Sequence, residues 1–123
     1  MTVIVFPGQG SQFVGMSRDF YDNFNCAKHI FDLVQDSTGI NIKDIIFDNS
    51  DGSLDITQYT QLAIFCASMS IYSVFKEEID LSSLKIKYMF GRTKIFIEIS
   101  RHSNKLATLT RKYNNCHFQL DLF

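Results

Sequence analysis

Five residues near the start of the chain, Gly8-Gln9-Gly10-Ser11-Gln12, combine two flexible backbone positions with two side-chain amides. Glycine permits a tight turn and a close approach of backbone to another group. A carboxamide can orient a carbonyl or hold a second loop, but it has no nucleophilic atom at neutral pH. The stretch is therefore built to position, and any attacking group must come from elsewhere. Two phosphate-binding patterns are excluded. The dinucleotide fingerprint needs a third glycine where Phe13 stands, and no Gly-Lys-Ser/Thr follows to make a nucleotide-triphosphate loop.

Other reactive side chains are scattered. Ser68 falls within an apolar run with no base near it in sequence, so its hydroxyl is expected to bond back to its own helix. His29 is a lone histidine beside the apolar stripe and reads as structural or solvent-facing. Cys26, Cys66 and Cys116 are an odd set without pairing or metal spacing, which reads as reduced thiols in a cytosolic protein. No metal or cofactor is expected.

The elements that position these residues follow from the hydropathy pattern. Val3 to Phe6 is an unbroken run of strand formers, expected as a central parallel strand covered on both faces and ended by Pro7. Helical spacing resumes at Met16, with Met16, Phe20 and Phe24 on one face. A second helix is expected from a cap at Asn25, through Ala27, Ile30, Phe31 and Val34, to a stop at Gly39. Asn41 to Phe47 reads as one or two helical turns with Asn41 as cap, and Asn49 to Ser53 as a turn. Thr60 to Phe75 is the strongest helix, apolar nearly all round and so expected to be buried, with Thr60 as its cap. Ile86 to Phe90 reads as a second strand ended by Gly91. Strand, glycine turn, helix is the way an α/β protein places a loop at the carboxyl edge of its sheet.

The whole chain of 123 residues is at most one domain, and 46% of its residues are apolar, enough to form a core. Formal net charge is -1, which gives no support to nucleic-acid binding. No basic leader precedes the first apolar run and no run reaches membrane-spanning length. The total conceals a break. Residues 1–84 hold 4 Lys/Arg against 11 Asp/Glu, whereas residues 85–123 hold 8 against 2.

The stretch FPGQGSQ, followed by Gly15-Met16, resembles the opening of the malonyl-CoA:acyl carrier protein transacylases and of the acyltransferase domains of fatty-acid and polyketide synthases. Leu54, Thr57, Thr60, Gln61, Ala63 and Ile64 continue the resemblance, with Leu62 where the family has proline. The resemblance covers roughly residues 2–91, about the first third of a family member. It implies an α/β fold, the N-terminal fragment of an α/β-hydrolase-like acyltransferase domain with parallel strands and covering helices. It also implies that the backbone N–H of Gln9 is one half of an oxyanion hole, that Gln9 and Gln61 contact substrate, and that the segment at Gln61 packs near the catalytic floor, mainly as a structural signature.

At Gly91 the family would present its nucleophile elbow, Gly-His-Ser-Leu-Gly. Here Arg92, Thr93, Lys94 and Ile95 follow instead. A threonine hydroxyl can attack an acyl group when a base activates it. The elbow, however, needs glycine where Ile95 stands. His102, His117, Arg92, Arg101 and Arg111 match no family motif. The pattern ends where the charge swings, as a change of reading frame would produce. The expected organisation is thus a partial acyltransferase large domain over 1–91 and a basic tail over 92–123, disordered or non-native. The expected function is a truncated, catalytically inactive remnant of a malonyltransferase of fatty acid biosynthesis, in the cytoplasm, with malonyl-CoA as substrate if any activity remains. The alternatives are a module whose basic tail docks acyl carrier protein, and one part of a split active enzyme.

Overall fold

The computed structural model describes residues 2–80, 84, 86–90 and 117–118. Strand β1 (Thr2–Val5) leads through the glycine-rich loop to α1 (Arg18–Asn23) and α2 (Asn25–Thr38). A π-helical turn (Asp44–Asp48) and a 3-10 turn (Ser53–Asp55) connect α2 to the long helix α3 (Thr57–Glu78). Strand β2 (Ile86–Phe90) then returns beside β1, and β3 (His117–Phe118) lies beside β2. All described pairings are parallel, in the order β1-β2-β3, with Val5 opposite Phe90 and Tyr88 opposite His117. The fold is the α/β class expected, with one strand more than the two read from the sequence.

The core forms where α2 crosses α3. Ala27, Ile30, Phe31 and Val34, the apolar stripe of α2, are all buried. Phe31 is fully enclosed and stacks on Phe47 at 5.3 Å between ring centroids, and Tyr21 meets both rings edge-on. Burying one such ring contributes about 1.5–3 kcal/mol. Gly39 ends α2 in the left-handed region at φ 71°, where a side chain would be strained. Helix α3 is buried over most of its length, as its nearly uniform apolarity requires.

Four expectations need correction. Among the described strands β1 stands at the edge of the sheet rather than at its centre, and Val5 is 72% and Val3 39% exposed while Ile4 and Phe6 turn inward. An unbroken apolar run conceals the alternation that the pleat imposes on every strand. Asn25 does not cap α2. It is already helical, and the cap position belongs to Phe24, which makes no side-chain bond. The first helix begins at Arg18, not Met16, because Gly15 and Ser17 hold positive φ angles. Thr60 is not a cap either, since α3 starts at Thr57. Its buried hydroxyl instead donates to the carbonyls of Leu54 and Ile56, tying the 3-10 turn to the helix. Residues 91–116 and 119–123, and with them Arg92, Thr93, His102 and Cys116, lie outside the described residues.

Cys26 and Cys66 are free thiols. Burial pushes both above the ordinary thiol range, and the charge of Glu77 adds to the effect at Cys26. A raised value keeps the folded protein protonated to higher pH, so the unreactive thiol persists where an unfolded cysteine has become thiolate. Alkylation followed peptide by peptide should therefore find Cys66 unmodified in the native protein. Cys26 should reach half its maximal rate at higher pH than in the urea-unfolded chain. Equal pH profiles in the two states would contradict this packing.

Candidate functional site

The loop from Pro7 to Gly15 leaves the carboxyl end of β1 and is fixed at four points. The Gly8 carbonyl accepts the Ser11 N–H at 3.2 Å and the Ser11 hydroxyl at 2.6 Å. The Gly10 N–H donates to Gln12 Oε1 at 2.8 Å. Gln9 Nε2 donates to Thr57 Oγ1, at the start of α3, at 3.3 Å. The Gly15 N–H donates to the Ile46 carbonyl at 2.7 Å, anchoring the loop to the π-helical turn. Gly10 and Gly15 carry positive φ angles of 103° and 85°, so glycine is required at these two positions.

These contacts divide the two amides by role. Gln12 closes the turn on itself, while Gln9 spans to a separate element 48 residues away. Both side chains are thus spent on holding the backbone. The Gln9 N–H has no hydrogen-bond partner among the described residues, and Gln9 is exposed. A fixed, unpaired backbone donor is the kind of group that stabilises a developing oxyanion. Because β1 and β2 are parallel and Val5 faces Phe90, both strands end at the same sheet edge. The residues that follow β2 in sequence are Gly91-Arg92-Thr93, where the resemblance expects the elbow.

Behind the loop, a cleft of about 450 Å³ opens between β1 and α3. Ile4 and Phe6 line one wall, and Ile64, Ala67, Ile71 and Phe75 the other. The lining residues with polar side-chain atoms, among those described, are Ser11, Ser17, Ser68 and Tyr72. Ser68 makes no bond to its own helix, in contrast to the expectation, whereas Ser70 does so through the Ala67 carbonyl at 2.8 Å. Gln61 is half-buried one turn beyond Thr57, and no hydrogen bond joins it to Gln9. His29 is exposed on α2, and the described residues include no cluster fit to hold a metal ion. Among them no helix is long and apolar enough to cross a membrane. The residue whose bonding the sequence reading missed is Thr57. Its threonine was visible in the family pattern, but its pairing with Gln9 was not.

The acyl transferase domain family matches residues 3–78, and the chain belongs to that family. A malonyl CoA-acyl carrier protein transacylase of Bacillus subtilis is 39% identical over 77 residues, which is 63% of this chain and 19% of that protein. The crystal structure of an acyl-carrier-protein S-malonyltransferase from Bartonella henselae superposes with a TM-score of 0.66 at 31% identity, covering 75% of this chain and 30% of that one. A malonyl-transacylase solved in complex with a type II polyketide synthase acyl carrier protein superposes at a TM-score of 0.64 and 30% identity, over 73% of this chain and 28% of that one. The chain thus spans about a third or less of the length of these relatives.

Thr57→Val keeps the shape of the side chain and removes the acceptor for Gln9. An exposed bond of this kind contributes at most about 1 kcal/mol, so the fold should persist. Hydrogen exchange at the Gln9 side-chain amide, read by NMR, should accelerate while the helical spectrum is unchanged. An unaltered rate would show that this bond does not hold the loop.

Proposed function

We propose that this chain carries the oxyanion-loop portion of a malonyl-CoA:acyl carrier protein transacylase and does not transfer malonyl groups by itself. The observation that supports this reading most is the loop at Gln9, with its two amides holding its shape and its backbone N–H without a partner among the described residues. In a serine acyltransferase two such donors hold the tetrahedral oxyanion, a serine attacks the thioester, and a histidine takes and returns the proton. Here Gln9 is the residue assigned to one donor, with Gln61 placed near the acyl group. The second donor would follow the nucleophile, where the sequence reads Arg92-Thr93-Lys94-Ile95. Positioning without an attacking group leaves little acceleration. No residue here is assigned as histidine base or as the cation for the malonyl carboxylate. Fatty acid biosynthesis is the metabolic setting, malonyl-CoA the substrate class, and acyl carrier protein the partner class of the reaction in which the loop would serve.

The abrupt end of the family pattern and the charge reversal after residue 84 both support a change of reading frame near codon 91. Shifting the nucleotide frame by one position there should then restore a Gly-His-Ser-Leu-Gly-like elbow. Activity is tested directly by incubating the purified chain with radiolabelled malonyl-CoA and acyl carrier protein. Transfer should not exceed the protein-free blank. Label held covalently on Thr93, with turnover above the blank, would overturn the proposal.

A further inference from the structure

The loop that carries Gln9 is held from outside by two anchors on different elements. The Gly15 N–H donates to the Ile46 carbonyl in the π-helical turn at 2.7 Å, and Gln9 Nε2 donates to Thr57 Oγ1 on α3 at 3.3 Å. The place of the Gln9 N–H therefore depends on how the π-helical turn sits relative to α3. Residues 49–56 connect the two and set that relation. Ile46 is fully buried and Leu54 nearly so, which seats both sides of this connection in the core.

Asn49 stands at the start of the connection. Its N–H donates to the Asp44 carbonyl at 2.8 Å and closes the π-helical turn. It adopts the left-handed conformation at φ 49°, and there the chain leaves the helix. A helix end leaves its last carbonyls without partners from its own backbone. The Ile46 carbonyl is one of these, and the Gly15 N–H takes it up. Asparagine is among the few residues other than glycine that enter the left-handed region readily. That preference alone would make Asn49 an ordinary terminator of a turn. Its side chain does more. Asn49 Oδ1 accepts the Leu54 N–H at 2.9 Å, in a part-buried bond five residues along the chain. The Asn49 carbonyl also accepts the Gly52 N–H at 3.1 Å. From Leu54 the link continues to α3, because the Leu54 carbonyl accepts the Thr60 hydroxyl. Thr57, which accepts Gln9, lies one turn before Thr60 on the same helix. Among the described residues, Asn49 is the one whose side chain bonds the end of the π-helical turn to the 3-10 turn.

We infer that Asn49 is a positioning residue for the Gln9 donor. It keeps the Ile46 carbonyl in register with α3, so that Gly15 and Gln9 reach their partners together. This deepens the functional reading above, on which it rests, by naming what sets the place of the donor. An oxyanion donor has to be fixed before charge develops, and this link supplies the fixing from a residue that touches no substrate.

Asn49→Gly removes the acceptor and keeps the backbone conformation, since glycine enters the left-handed region freely. Asn49→Asp keeps an acceptor on a residue that is tolerated there. Asp51→Ala is the control. It removes a comparable bond in the same segment, from the Ser53 N–H to Asp51 Oδ1 at 3.0 Å, and leaves the Asn49 link intact. The variants are compared with the unaltered chain in about 0.5 M salt, which screens the charges of Asp44, Asp48 and Asp51. In Asn49→Gly the Gly15 amide should exchange about tenfold faster and the Gln9 and Gly10 amide resonances should move, while Phe31 and Cys66 in the core exchange as before. Asn49→Asp should restore both the protection and the resonance positions, and Asp51→Ala should leave them unchanged. The inference fails if Gly15 keeps its protection in Asn49→Gly, if Asn49→Asp does not restore it, or if Asp51→Ala loosens Gly15 equally. It fails too if the core amides accelerate in step with Gly15, since Asn49 would then support only overall stability. Malonyl transfer by this chain alone retires the functional reading whatever these rates show, so the two failures are told apart.

Discussion

The parallel pairing of β1 with β2 is the constraint on which the rest of the structure depends. Two parallel neighbours cannot be joined by a hairpin, and the connection must cross from one end of the sheet to the other. Residues 6–85 make that crossing, and they contain all three helices of the described structure. The pairing also puts the carboxyl ends of both strands at one edge, with Val5 opposite Phe90. The loop after β1 and the carboxyl end of β2 are thereby brought to the same edge of the sheet.

Stability is unevenly distributed across this scaffold. The interface between α2 and α3 is closed: Phe31, Ile42, Ile46, Leu54 and Thr60 are fully buried, and the Thr60 hydroxyl is satisfied by two carbonyls. A buried hydroxyl without partners would cost about 1–3 kcal/mol, so the sharing of its one proton with these carbonyls is what permits a polar residue there. The sheet side is open, with β1 exposing Val3 and Val5. The loop bridges the two regions. It leaves the open strand but is tied to the closed helical layer through Ile46 and Thr57. Surface ion pairs add little: Arg18–Asp22 and Lys43–Asp32 are solvent-facing, and such pairs contribute about 0–1 kcal/mol.

Much of this was legible in the sequence because it depends on local chemistry. The stripe of α2, the stop at Gly39, the uniform apolarity of α3 and the strand before Gly91 each follow from residue type and spacing. What was not legible depends on tertiary partners. Four consecutive apolar residues at 3–6 give no sign of which two face solvent, because that is set by what the sheet lacks on one side. Thr60 looked like a cap because threonine often is one. Its actual partner, the Leu54 carbonyl, lies in a turn whose path the sequence does not reveal. Gln9 could be recognised as a positioning residue from its glycine neighbours, but its bond to Thr57 spans 48 residues and no periodicity encodes it.

The central claim is that the loop is held in place while the Gln9 N–H has no partner among the described residues, and amide hydrogen exchange resolved by residue measures both properties at once. The Gly10 and Gly15 amides, bonded to Gln12 Oε1 and to the Ile46 carbonyl, should exchange slowly. The Gln9 amide between β1 and these anchors should exchange near the rate of an open chain. Protection of Gln9 equal to that of Gly15 would contradict the account, as would open-chain exchange at all three positions.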